Sequence, residues 1–82
     1  IGETFSSGTP DPEEVVLRRE RQRMLRDALG DLPAIYREAV VLCDIEGLAY
    51  DEIATALDVN IGTVKSRIAR GRDELRRRLK DV

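Results

Sequence analysis

The sequence predicts an all-α fold: a small four-helix domain that closes on a helix-turn-helix. Three observations predict it. Apolar residues recur at three-, four- and seven-residue intervals, the spacing of one helix face at about 100° per residue. Ile61, Val64, Ile68, Leu75 and Leu79 form the cleanest such run. Helix-start and helix-stop residues then divide the chain into four segments. The last two segments are a short one and a long one, separated only by Asp58-Val59-Asn60, which is the layout of a helix-turn-helix.

Taken in order, residues 1–10 mix Gly, Ser, Thr and Pro with no sustained period and read as a flexible linker or arm. Phe5 is the only large aromatic group there. The domain proper is expected over 11–82. Asp11 is a good N-cap, Pro12 suits the first helical position, and Glu14 makes a box-like pairing at the positive end of the dipole. Val15, Leu17, Met24, Leu25, Ala28 and Leu29 give this first helix a broken apolar stripe, and Gly30 is expected to end it as a C′ residue. Glu20, between arginine clusters, promises only weak surface pairs. Pro33 starts the second helix. Its residues Ile35, Ala39, Val40, Val41, Leu42, Cys43 and Ile45 wrap much of the circumference, which predicts a central helix surrounded by others.

Gly47 terminates that helix, and Leu48 is placed to fold back as the apolar contact that accompanies a glycine cap. A short third helix runs from Tyr50 to Leu57, with Ile53, Ala54 and Leu57 facing inward. Ala49 is a poor N-cap, losing roughly 1 kcal/mol relative to Ser or Thr; Asp51 and Glu52 offset part of this through the dipole. Asp58 stands where a left-handed residue is needed, a conformation Asp tolerates better than most. Asn60 caps the fourth helix, Ile61 to about Lys80, and Ala54 is small enough for a close crossing of the last two helices.

Composition narrows the function classes. Eighty-two residues make one small domain, with room for a few helices around one core and none for a deep substrate cleft. There is no histidine, which excludes within this chain a His general base, a Ser-His triad or a Cys/His zinc site. Cys43 is the only cysteine and lies in an apolar run, so it reads as a small buried hydrophobe in a reducing, cytoplasmic setting. No metal, cofactor, small-molecule substrate or membrane span is expected, and an enzyme is the least favoured class. The lack of an initiator Met points to a piece of something longer.

The net charge of −2 conceals an asymmetry. Residues 61–82 hold eight Lys and Arg against three Asp and Glu, whereas residues 1–60 hold six against thirteen. A basic stripe beside an acidic body is the electrostatic footprint of a nucleic-acid reader. Opposite its apolar stripe the fourth helix carries Thr63, Ser66, Arg70 and Arg77, with Gly62 and Arg67 at the borders. Hydroxyls and guanidiniums suit phosphate oxygens and base edges; the alternative is a surface helix with a solvated basic face. In a helix-turn-helix the second helix enters the major groove by its N-terminal residues. On this reading Ser66 and Arg70 lie squarely outward, Arg70 placed to grip a guanine O6/N7 edge. Lys65, beside the apolar stripe, snorkels to phosphate, and Arg67 is intermediate. Arg72, Arg76, Arg77 and Arg78 form a general electrostatic surface.

The wording of the chain adds to this. Leu32-Pro33, Tyr36-Arg37-Glu38-Ala39-Val40, the stretch Glu46-Gly47-Leu48-Ala49-Tyr50-Asp51-Glu52-Ile53-Ala54 and the string GTVKSR at 62–67 together resemble region 4 of bacterial sigma factors. The likeness is to the extracytoplasmic-function (ECF) group of the sigma-70 family and spans about residues 12–80. Ala49 departs from it, standing where the family usually has Ser or Thr. The resemblance implies a winged-helix-like or sigma region 4 fold that docks its fourth helix in the major groove of a promoter −35 element, GGAA-like in this group. It implies DNA-facing roles for Lys65, Ser66, Arg67, Ala69 and Arg70, and backbone contacts for Thr63 and the helix start, Asn60 and Gly62 included. It implies as partners the RNA polymerase core, through the flap tip of the β subunit on the apolar surface of the first two helices, and an anti-sigma factor. A nucleoid-associated, cytoplasmic location goes with that. Two rivals stand beside it: the output domain of a dimeric response-regulator-type transcription factor, and a sigma-like decoy that binds only an anti-sigma. The first lacks a self-complementary apolar helix, and the second has no use for Ser66 and Arg70 on an exposed face.

Overall fold

The apolar side chains of four helices meet in two adjoining clusters, and the fourth helix runs through both. A computed structural model describes residues 11–80; the expected arm at 1–10, with Phe5, lies outside the described residues. The helices are α1 (Pro12–Gly30), α2 (Ala34–Val40), α3 (Tyr50–Leu57) and α4 (Ile61–Lys80), and α2 runs on into a wider π-helical turn, Val41–Ile45. No strand is present among the described residues, so the helix-turn-helix carries no wing there.

α1 begins as expected: Pro12 is its first residue, and the Asp11 carboxylate accepts the Glu13 N–H at 3.0 Å. Its end differs from expectation. Gly30 is the last helical residue, not a left-handed C′, and Asp31 follows at φ −83, ψ −10. The loose carbonyls are satisfied instead by arginines: Arg37 Nη1 donates to Gly30 O and Leu32 O, both at 3.2 Å, and Arg78 Nη2 to Asp31 O at 3.3 Å. Only Ala28 and Leu29 of the α1 stripe are buried, while Val16 and Leu17 are more than half exposed. Most of α1 therefore projects from the body, and the radius of gyration of 16.6 Å exceeds the ~12 Å of a compact chain this long.

The second helix is also less enclosed than its composition suggested. Ala39 and Val40 are buried, but Ile35 and Ile45 stand 45% and 56% exposed. The π turn explains Ile45. It widens the helix after Val40, so that Glu46 N–H reaches Val41 O at 2.9 Å and Leu48 N–H reaches Leu42 O at 2.9 Å. Side chains past the widening leave the face that Ala39 and Val40 share. Gly47, at φ +77, then reverses the chain, and Leu48 folds back on the core as expected. A Cβ on Gly47 would meet nothing within 4 Å, so Gly47→Ala tests backbone strain alone. It is expected to cost about 1 kcal/mol, read as a lower thermal midpoint by circular dichroism; an unchanged midpoint would refute the strain.

Ala28, Leu29, Leu32, Val40 and Leu75 make one cluster, and Ala39, Ile53, Ala54, Val64 and Ile68 the other. α2 divides neighbouring residues between them, Val40 to the first and Ala39 to the second. α4 supplies Leu75 to one and Val64 and Ile68 to the other. Ile53, Val64 and Ile68 are at most 1% exposed, each contributing roughly 1.5–3 kcal/mol of apolar burial. The ends of the α4 stripe, Ile61 and Leu79, are 43% and 36% exposed, so the anchored part of the helix is its middle. Cys43 is half-buried at the rim of the second cluster, not within it.

Candidate nucleic-acid interface

The turn between α3 and α4 is built by three local devices. Ala49 gives α3 no side-chain cap, but Glu52 Oε1 accepts the Ala49 N–H at 2.7 Å, the half of a capping box that an alanine permits. Asp58 takes the left-handed conformation at φ 56, ψ 49, and Val59 N–H closes back on Ala54 O at 3.0 Å. Asn60 then caps α4, its Oδ1 accepting the Thr63 N–H at 2.8 Å. A Cβ on Gly62 would lie 3.2 Å from that Oδ1, so glycine leaves the cap uncrowded. The short helix, turn and long helix are as the sequence predicts.

α4 is held to the body by Val64, Ile68, Gly71 and Leu75. Away from that row, Gly62, Lys65, Ser66, Ala69 and Arg70 are exposed, and Arg67 is half-buried at the border. Thr63, expected to face outward, is half-buried as well: it stands beside the capped helix start, at the edge of the outer face. The Ser66 hydroxyl donates to Thr63 O at 3.1 Å, so its lone pairs are what it offers a ligand. Asn60, Gly62, Thr63, Lys65, Ser66, Ala69 and Arg70 are thus gathered into the first three turns. Arg77 is not among them. Seven residues beyond Arg70, it lies ~10 Å farther along the axis.

The second half of α4 is electrostatically different from its arginine count. Asp73 falls on the same outward row as Ser66 and Arg77, seven and four residues away, and Arg77 Nη2 pairs with it at 2.9 Å and Arg76 Nη2 at 3.8 Å. Glu74 pairs with Arg70 Nε at 3.3 Å, Arg77 Nη1 at 3.8 Å and Arg78 Nη1 at 2.7 Å. The Arg78 hydrogen bond above all, then the charges of Arg70, Arg78 and Arg77, holds the Glu74 carboxyl below its ordinary value. Arg72 and Arg78, grouped from sequence with a general basic surface, are structural. Arg72 grips Asp44 through Nε at 3.0 Å and Nη2 at 2.6 Å, with Cys43 Sγ at 3.7 Å. Among the described residues Lys65 and Arg67 form no ion pair, so the first half of the outer face keeps its positive charge, while acids offset part of the charge in the second half.

The Asp44–Arg72 pair ties the π turn to α4. Arg72's hydrogen bonds lower the Asp44 carboxyl, while burial, and next the Asp44 charge, push the Cys43 thiol up. A carboxyl lowered by folding contributes stability that is present above its unfolded value and lost as pH falls through the folded one. The window therefore opens below the ordinary value of 3.8. Both side chains are about two-fifths exposed, so the contribution is discounted to about 0.5–1 kcal/mol. Wild type is expected to exceed Arg72→Ala by that amount at pH 7, and the two urea midpoints to converge as pH falls well below 3.8. A gap that persists in acid would assign the loss to packing alone.

Residues 22–75 match the family model for sigma-70, region 4. The chain belongs to the sigma-70 region 4 family. It is 52% identical over 67 residues to the ECF RNA polymerase sigma factor SigE of Mycolicibacterium smegmatis, covering 82% of this chain and 26% of that protein. It is 39% identical over 71 residues to SigW of Bacillus subtilis, with 87% and 38% covered. To the ECF RNA polymerase sigma-E factor of Escherichia coli it is 36% identical over 78 residues, covering 89% and 41%. The chain thus spans from about a quarter to two-fifths of the length of these relatives. Membership in the region 4 family sets aside the response-regulator output domain. Among the described residues no helix is long and apolar enough to cross a membrane.

Sequence reasoning missed Asp44, Gly71, Asp73 and Glu74. Two of these carried a readable signal: Arg70, Glu74 and Arg78, like Asp73 and Arg77, are spaced by four, the interval at which helical side chains meet. Asp44 and Arg72 are 28 residues apart, and nothing local links them.

Proposed function

We propose that this region 4 domain reads a promoter −35 element for an ECF sigma factor and so directs RNA polymerase core to a start site. The observation that supports it most is the outer face of α4: capped at Asn60, exposed through Ser66, Ala69 and Arg70, with Lys65 and Arg67, which form no ion pair among the described residues, on its flanks. In this reading α3 crosses the DNA backbone and α4 enters the major groove. Ser66 and Arg70 read bases; Lys65, Arg67 and the helix start, including Gly62 and Thr63, hold phosphates; Ala69 packs against a base edge. Arg77, farther along and paired to Asp73, contributes only to the surrounding field.

The polymerase β flap tip and an anti-sigma factor are the protein partners of this reading. Val16, Leu17 and Leu25 on α1 and Ile35 and Ile45 around α2 stay exposed, which supports an apolar docking surface on the first two helices. In this reading the assembly works on the cytoplasmic nucleoid. Fluorescence anisotropy on a GGAA-containing duplex and on a scrambled one, at two salt concentrations, tests the DNA role. Tighter binding to the first at both salts is expected. Equal affinities would sink the promoter reading, leaving a decoy that meets only an anti-sigma.

A further inference from the structure

Glu74 is not an ordinary surface acid. Its side chain is 19% exposed, and its Oε1 takes Arg78 Nη1 at 2.7 Å while the same nitrogen also reaches Glu74 O at 3.2 Å. Arg78 in turn reaches across to Asp31 O, in the loop after α1, through Nη2 at 3.3 Å. The carboxylate is therefore fixed by a guanidinium that is itself tied to another part of the fold. Its second oxygen, Oε2, forms ion pairs with Arg70, 3.3 Å from Nε, and with Arg77, 3.8 Å from Nη1. Among the described residues no hydrogen bond occupies the Arg70 terminal nitrogens, so the ion pair on the Nε side leaves the Nη1/Nη2 pair, one edge of the rigid donor fork, open.

From this geometry we infer that Glu74 is a specificity-determining positioning residue, holding Arg70 by its Nε edge so that the terminal nitrogens present to a base edge. This rests on the promoter-reading proposal above and assigns how its base contact is made selective. The bridge acts in two ways. It orders a flexible side chain before binding, so less freedom is lost when a guanine is met. It also offsets part of the Arg70 charge toward phosphates, so a duplex without the right base benefits less from Arg70.

The test is Glu74→Gln, alone and with Arg70→Ala, in the 82-residue chain. Glutamine keeps the side-chain shape and an acceptor for Arg78, and circular dichroism checks the fold. On the GGAA duplex the affinity of Glu74→Gln is expected to fall about 2–10-fold, the cost of ordering one long side chain on binding. On the scrambled duplex its log–log salt dependence is expected to steepen by about 0.9, because the released Arg70 neutralises one more phosphate. Both changes are expected to vanish in the Arg70→Ala background. Equal changes in both backgrounds would reduce Glu74 to a general charge effect and overturn the proposal. A second readout needs no DNA: the Arg70 Nε–H resonance of the free chain is expected to shift and exchange faster in Glu74→Gln. If it does not respond, Arg70 is not held and the proposal fails whatever the duplexes show. If it responds but the wild-type chain does not distinguish the duplexes, the promoter reading has failed and the specificity role falls with it.

Discussion

Gly71→Ala is expected to destabilise the domain by about 1–3 kcal/mol, read from the urea midpoint at unchanged slope. Propensity alone predicts the reverse, since glycine inside a helix is about 1 kcal/mol worse than alanine. Packing decides the sign. A Cβ at position 71 would run into Val40 Cγ2, and it would lie 3.2 Å from Tyr36 O and 3.5 Å from Tyr36 Cβ. The Tyr36 carbonyl is α2 backbone and cannot step aside, and Val40 is only 2% exposed within its cluster. α2 must therefore move off α4 or Val40 must leave its rotamer. Gly71 lies between Ile68 and Leu75 along α4, at the point where the two clusters adjoin, so the shift would loosen both. Its side of the helix faces away from the row proposed to meet DNA, and affinity per folded molecule is expected to hold. A variant as stable as wild type, or more so, would show that α2 and α4 have slack at this crossing.

Gly71 also marks the boundary of what could be read from sequence. The helix order, the Asp11 and Asn60 caps, the Gly47 stop with Leu48 folding back, and the left-handed Asp58 all depend on a few neighbouring residues. Those were legible. Gly71 interrupts no pattern visible in sequence, because an apolar stripe tolerates a small residue; only the approach of Tyr36 and Val40 gives it a role. The enclosure of α2 failed for a related reason. Counting apolar residues cannot foresee the π turn at Val41–Ile45, which rotates Ile45 away, nor that α1 covers α2 so sparsely that Ile35 stays exposed. The candidate interface was legible as a set of positions on one helix, and the charge state of that set was not. Counting arginines over 61–82 suggested a continuous basic face, yet Asp73, Glu74 and Asp44 offset part of its second half through pairs that need both helical register and tertiary contact.

Arg70→Ala is expected to weaken binding to the GGAA-containing duplex by about 1–3 kcal/mol, the worth of one good bidentate base contact. The loss should fall on one base position, whose substitution in the duplex then costs the variant nothing further. On the scrambled duplex the same variant should change little, because Glu74 already holds the Arg70 charge. Arg77→Ala is the contrast. Its guanidinium sits beyond the first turns and pairs with Asp73 at 2.9 Å, so it reads no base. It should lower affinity on both duplexes alike, with the salt slope reduced by less than the ~0.9 of a free phosphate-binding cation. The two variants thus separate reading from attraction on one helix: anisotropy titrations on both duplexes, at two salts, give each a different signature. Equal losses for Arg70→Ala on the two duplexes would remove it from base readout. The selective contact would then fall to Ala69 against a base edge and to Ser66, whose hydroxyl proton is already given to Thr63 O at 3.1 Å and which reads a base only as an acceptor.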